Sequence, residues 1–137
     1  MFDTFPVTQG HAIVVPKRHV VSFKDLLQEE WIDLKSVVTQ IIDLIEKTEF
    51  KSLYGHMLGY VDDERSVQFI KSILEQPWLN SKPDSYNYGV NDGKEAGRTY
   101  DHFHWHIIPR YKGDMADPRG GVRHVIPDRG NYKITRS

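Results

Sequence analysis

The chain contains no cysteine. Disulfides and thiolate metal ligands are therefore excluded, and the composition suits a reducing, cytoplasmic setting. Long apolar runs are missing as well. No stretch approaches membrane-spanning length, and no signal-peptide pattern opens the chain. Charge of one sign is also lacking. The formal net charge is -1 with the seven histidines counted neutral, so no basic field invites nucleic acid or an acidic membrane. There is no internal repeat. The 137 residues leave room for one domain and one core. A hydrophobic share of 39% against 27% charged residues reads as a globular chain rather than a disordered one.

The most informative stretch is His102-Phe103-His104-Trp105-His106-Ile107-Ile108. In a β-strand, residues two apart share a face. Phe103, Trp105 and Ile107 would then enter the core. His102, His104 and His106 would line the other face, each about 6–7 Å from the next. Three imidazoles in a row do not stabilise a fold, because each must find hydrogen-bond partners or water. The pattern points to a site.

The surrounding sequence suggests where that site sits. Met1-Phe2-Asp3-Thr4-Phe5-Pro6 reads as a strand end running into a loop. His11-Ala12-Ile13-Val14-Val15 reads as a buried strand stopped by Pro16. Residues 22–48 contain the longest helix, with Trp31, Leu34, Val38, Ile41 and Ile45 as its apolar stripe, widened by Val37 and Ile42. A second helix is predicted from a cap at Asp63 through Gln76, with Pro77 as its stop. Tyr86-Asn87-Tyr88-Gly89-Val90-Asn91 alternates as a strand, and Asp92-Gly93-Lys94-Glu95-Ala96-Gly97 is a turn. The histidine strand follows and ends at Pro109. After it comes a tail rich in glycine, proline and arginine.

The residues alone admit two chemistries. Two neutral imidazoles two apart on a strand can share a zinc, with His11, His19 or a carboxylate as third ligand. Alternatively, one imidazole acts as a nucleophile. Its ordinary pKa lies near neutrality, and its lone pair is free when its other nitrogen donates a hydrogen bond. Flanking histidines would then orient it and donate to a phosphate.

The histidine stretch resembles the signature of the histidine triad (HIT) superfamily, three histidines alternating with apolar residues and followed by two more. Gly10-His11-Ala12-Ile13-Val14-Val15-Pro16-Lys17-Arg18-His19 resembles the family's Gly-His strand. Asn87-Tyr88-Gly89-Val90-Asn91-Asp92-Gly93 with Ala96-Gly97 resembles the segment that precedes the triad. The tail from Pro109-Arg110-Tyr111 to Pro118-Arg119-Gly120-Gly121 is similar to bacterial Hint-like and dinucleoside polyphosphate hydrolase-like members. The resemblance implies an α+β fold: an antiparallel β-sheet, one long packed helix and a helical insertion. It implies a single domain over residues 1–137, with residues 50–85 as an atypical insertion.

For function, the resemblance implies a nucleotide-conjugate hydrolase or nucleotidyl transferase. His104 would attack the α-phosphate and carry the nucleotide until water releases the nucleoside monophosphate. His106 would hold a phosphate oxygen, while His102 and His11 support the nucleophile. Asn91, Gly97 and Thr99 match positions that cradle the phosphate and leaving group. Asp3 matches an acid that grips the ribose. Arg98 stands where most members carry glutamine. Arginine only donates and keeps a fixed positive charge, so a more anionic leaving group is expected there. No cofactor is required on this reading, though magnesium can accompany a polyphosphate substrate. Some members bind structural zinc through an early Cys-x-x-Cys with histidines resembling His19 and His102, and that site is not expected here. A homodimer is expected, with no nucleic-acid or membrane partner. Two other readings stay open: a nucleotide-binding regulatory protein with little turnover, and a metal-dependent hydrolase using the histidines as ligands.

Overall fold

The computed structural model describes residues 1–133. Three strands form one antiparallel sheet in the order β1-β3-β2: β1 at Ala12–Val14, β2 at Ser85–Gly89 and β3 at Trp105–Arg110. The central β3 pairs Ile107 with Ala12 on one side and with Tyr88 on the other. Ahead of β1, Phe2 bridges to Ala12, so the first residues extend the sheet at that edge.

Three helices accompany the sheet, α1 at Gln28–Lys47, α2 at Phe50–Met57 and α3 at Glu64–Leu74. The expected long helix is α1. Leu34 and Ile45 of its stripe are buried, and Val38 and Ile41 are half-buried. Trp31, at the start of the stripe, is largely exposed yet meets Trp105 of β3 edge to face, with ring centroids 6.1 Å apart. The cap at Asp63 is present, its carboxylate accepting from the Ser66 N–H at 2.8 Å. The helix it starts ends at Leu74 rather than Gln76.

Helix α2 lies in the stretch read from sequence as an unplaced insertion. It is capped by Glu49, whose carboxylate accepts from Ser52 N at 2.8 Å, and it buries Phe50, Tyr54 and Met57. These three sit at spacings of four and three, one face of a helix. They join Ile45, Ile70 and Ile73 against Ala12 and Ile107 in one core cluster. Each such fully buried side chain stabilises the fold by roughly 1.5–3 kcal/mol.

Gly10 stands where these elements converge. Its φ of +83° suits glycine, and an added Cβ would lie 3.0 Å from Phe50, 3.2 Å from Pro109 and 3.3 Å from Ile45. Its N–H donates to the buried Tyr54 hydroxyl at 2.8 Å.

Two boundaries of the histidine strand differ from expectation. His102, Phe103 and His104 precede β3 rather than lying on it, and Pro109 lies inside β3 rather than ending it. Proline is tolerated because the Pro109 carbonyl turns toward the β1 side, where the Thr8 hydroxyl donates to it at 2.6 Å. An N–H at this position would face the same side, beyond the last β1 partner at Ala12. Phe103 is still buried, in a second small cluster with Val20 and Leu34.

Candidate active site

His106 is on β3 and His11 immediately precedes β1. The pairing that places Ile13 opposite His106 also brings the two imidazoles together. His11 Nε2 lies 2.9 Å from His106 Nδ1 and 3.6 Å from Asp3 Oδ2. Hydrogen bonds fix the protons. The Val7 N–H donates to His11 Nδ1 at 3.2 Å, so that nitrogen accepts and Nε2 carries the hydrogen. His11 Nε2–H then donates to His106 Nδ1. His106 is left with its proton on Nε2, a donor with no partner among the described residues.

The other two histidines are set by backbone carbonyls. His104 Nδ1–H donates to the carbonyl of His102 at 2.9 Å, which leaves the Nε2 lone pair free in the ring plane. His102 Nε2–H donates to the Pro16 carbonyl at 3.0 Å, and the His102 ring faces His19 at 5.6 Å between centroids. His104 is buried, and its ring stands at 70° to that of His106 with centroids 5.0 Å apart. The site therefore offers a lone pair on His104 beside an N–H donor on His106.

Burial pushes the His11 pKa down to about 4. The neighbouring His106 adds to this drop, and the Asp3 carboxylate opposes it. His106 is lowered too, first by burial and then by His104, again against Asp3. Both rings are neutral near pH 7, as this chain of hydrogen bonds requires.

The remaining site residues implied by the resemblance divide into two groups. Asn91 lines, with His11 and His106, a cleft of about 850 Å³. Gly97, at φ +98°, turns the chain beside the Asn91 side chain. Asp3 lies against His11, and its Oδ1 accepts from Phe5 N at 2.8 Å. Thr99 is exposed. Arg98 turns to acidic neighbours, 3.1 Å from Asp101 and 3.9 Å from Asp92. The cleft runs along the β3 face past Ile108 to Arg110, which is held by two hydrogen bonds to Asp114. The tail roofs it with Pro118, Val122, His124 and Val125.

Sequence reading missed three contributors. The tail, marked in the sequence only by its glycine, proline and arginine, lines the cleft with Pro118, Val122, His124 and Val125. The Val7 N–H belongs to a loop backbone and has no sequence signature. Tyr100 stacks on His104, and an aromatic residue four positions before the central histidine was a usable signal.

Asp3, His11 and His106 bring three potential metal-binding atoms within 4.8 Å of one another. They do not make a ready metal site. A metal on His11 Nε2 needs the hydrogen on Nδ1, where it would meet the Val7 N–H. His19, the other candidate ligand, is exposed and lies against His102.

A small antiparallel sheet packed by helices, with a histidine cluster at its central strand, defines an α+β domain of the histidine triad type. The sequence model of the HIT domain matches residues 1–113. The bis(5'-adenosyl)-triphosphatase of Dictyostelium discoideum is 34% identical over 112 residues, covering 82% of this chain and 54% of its own length. The asymmetrical bis(5'-nucleosyl)-tetraphosphatase of Schizosaccharomyces pombe is 30% identical over 112 residues, covering 82% of this chain and 44% of its own. Among solved structures, the Caenorhabditis elegans NitFhit protein superposes with a TM-score of 0.52 at 30% identity, over 89% of this chain and 21% of that one. The chain spans about half the length of the first curated relatives it matches. It belongs to the HIT family.

Proposed function

We propose that the chain hydrolyses or transfers a nucleotide at its α-phosphate through a nucleotidyl-His104 intermediate. The observation that carries this reading is the pair of opposed nitrogens, His104 Nε2 with a free lone pair and His106 Nε2 with a hydrogen. The names of the relatives, hydrolases of bis-nucleosyl tri- and tetraphosphates, support the substrate class.

In the first step the His104 Nε2 lone pair forms a bond to the α-phosphorus. The bond from phosphorus to the leaving oxygen breaks, and its electron pair departs with the leaving group. His106 Nε2–H donates to a non-bridging oxygen as charge gathers there. The His104 Nδ1–H stays on the His102 carbonyl, holding the ring in line. In the second step water bonds to phosphorus, the P–N pair returns to Nε2, and a proton passes to solvent. Nucleoside monophosphate is released. A different acceptor in place of water gives transfer.

Around this centre, Asn91, Gly97 and Thr99 cradle the phosphates, and Asp3 grips the ribose with Oδ2. Arg98 biases the leaving group toward higher negative charge. A resident metal is not needed, and magnesium enters with a polyphosphate. The protein acts in the cytoplasm as a homodimer. Val37 and Leu44, seven residues apart on one side of α1, are exposed apolar groups suited to a partner. Light scattering should give the mass of two chains at micromolar concentration. A monomer alone would remove the dimer from this proposal.

The decisive experiment mixes the protein with diadenosine triphosphate or an adenosine phosphoramidate, quenches in milliseconds and maps the adduct by mass spectrometry. An adenylate on His104 with release of AMP is expected. Turnover without a His104 adduct would overturn the mechanism. AMP binding without turnover of either substrate would favour the regulatory reading.

A further inference from the structure

Tyr100 lies flat on His104. The ring centroids are 4.3 Å apart and the planes differ by 13°. Tyr100 is 47% exposed while His104 is 6% exposed, so the phenol shields one face of the imidazole from water. A face-to-face stack covers the π surface and leaves the in-plane Nε2 lone pair accessible. In the ring plane, Nδ1 is already engaged by the His102 carbonyl.

We propose that Tyr100 stabilises the positive charge that the His104 ring acquires during nucleotidyl transfer. The inference rests on the nucleotidyl-His104 reading. Attack by Nε2 with the hydrogen retained on Nδ1 forms the N–P bond and turns a neutral imidazole into an imidazolium. No proton leaves the ring at that moment, so the charge must be stabilised where it forms. The negative face of the phenol attracts this cation more strongly than the neutral ring it replaces. The interaction grows on the way to the transition state, which is the condition for acceleration rather than tighter binding. Neighbouring groups do not compete for the phenol. His11 and His106 are held neutral by burial, and the Arg98 charge faces Asp101 and Asp92.

The test uses the full chain with diadenosine triphosphate and rapid-quench measurement of adduct formation on His104. Residue 100 is changed to Leu, to Phe, and then to phenylalanines carrying one, three and five fluorines. Fluorine drains the ring face of negative charge while hardly changing its shape. The expected result is a loss of about tenfold for Tyr100→Leu and rescue to within about twofold by Tyr100→Phe. Across the fluorine series the rate should decline stepwise toward the Leu value, with AMP affinity unchanged. A flat fluorine series, with the adduct still forming, would overturn the proposal alone. So would a Tyr100→Phe loss as large as that of Leu, which would assign the effect to the hydroxyl. Absence of a His104 adduct in the unaltered protein would overturn the underlying mechanism instead, and this proposal with it.

Discussion

The two ends of the histidine stretch are held by different means. At the strand end, His106 is positioned by sheet register and polarised by a second side chain, with Val7 N–H, His11 and His106 forming a relay. At the loop end, His102 and His104 each donate to a backbone carbonyl and need no side-chain partner. The first arrangement delivers a hydrogen and the second exposes a lone pair. Adjacent imidazoles of one chemical type thus take opposite roles because their second nitrogens meet opposite partners.

Removing each end separately is the strongest way to break this comparison. His104→Ala should lower turnover of diadenosine triphosphate by at least about a thousandfold, since no other free lone pair is placed to attack. AMP binding should persist. His106→Ala should cost less, about a hundredfold, as expected for loss of one donor to the phosphate. Equal losses in steady-state kcat for the two variants would mean that donor and nucleophile are not distinct.

A second prediction sharpens the comparison through pH. His11 is neutral in the fold down to about pH 4, whereas an unfolded histidine takes a proton near 6.5. Between these values the unfolded chain binds the extra proton, so stability falls as pH drops through that window. His106 acts in the same direction. Urea midpoints should decline from pH 6.5 toward 4.5, and His11→Asn should make that decline shallower. Parallel curves for the two proteins would remove the buried relay as the cause.

The alternation at 102–108 was legible, and with it the burial of Phe103 and Ile107 and the proximity of His104 and His106, whereas the His102 ring turns to His19. The division of roles was not. It depends on Val7 N–H and the carbonyls of Pro16 and His102, and backbone donors and acceptors leave no mark on side-chain pattern. Pro109 misled because a proline in a run normally marks its end, whereas here the missing N–H would point past the end of β1. Helix α2 was overlooked because its stripe is three residues long, Phe50, Tyr54 and Met57, with Gly55 weakening the helical pattern between them. Its cap at Glu49 is not among the usual capping residues.

The smallest expected effect concerns Arg98. Its contacts with Asp101 and Asp92 join it to the loop leading into the triad. Exposed ion pairs of this kind contribute little stability, so Arg98→Gln should leave the fold intact. The ratio of kcat/KM for diadenosine triphosphate over an adenosine phosphoramidate should fall about tenfold, or ~1.4 kcal/mol. An unchanged ratio would show that Arg98 serves its acidic neighbours and does not select the leaving group.

Gly10 gives the helical layer mechanical leverage over the histidine pair. One methyl group at this position would have to displace Phe50, Ile45 or Pro109, and the next residue in the chain is His11. A shift of a few tenths of an ångström would pass directly into the 2.9 Å contact with His106. The His11–His106 pair therefore inherits its tolerances from hydrocarbon packing behind it. Drift in α2 would reach the hydrogen bond between His11 and His106 through Gly10.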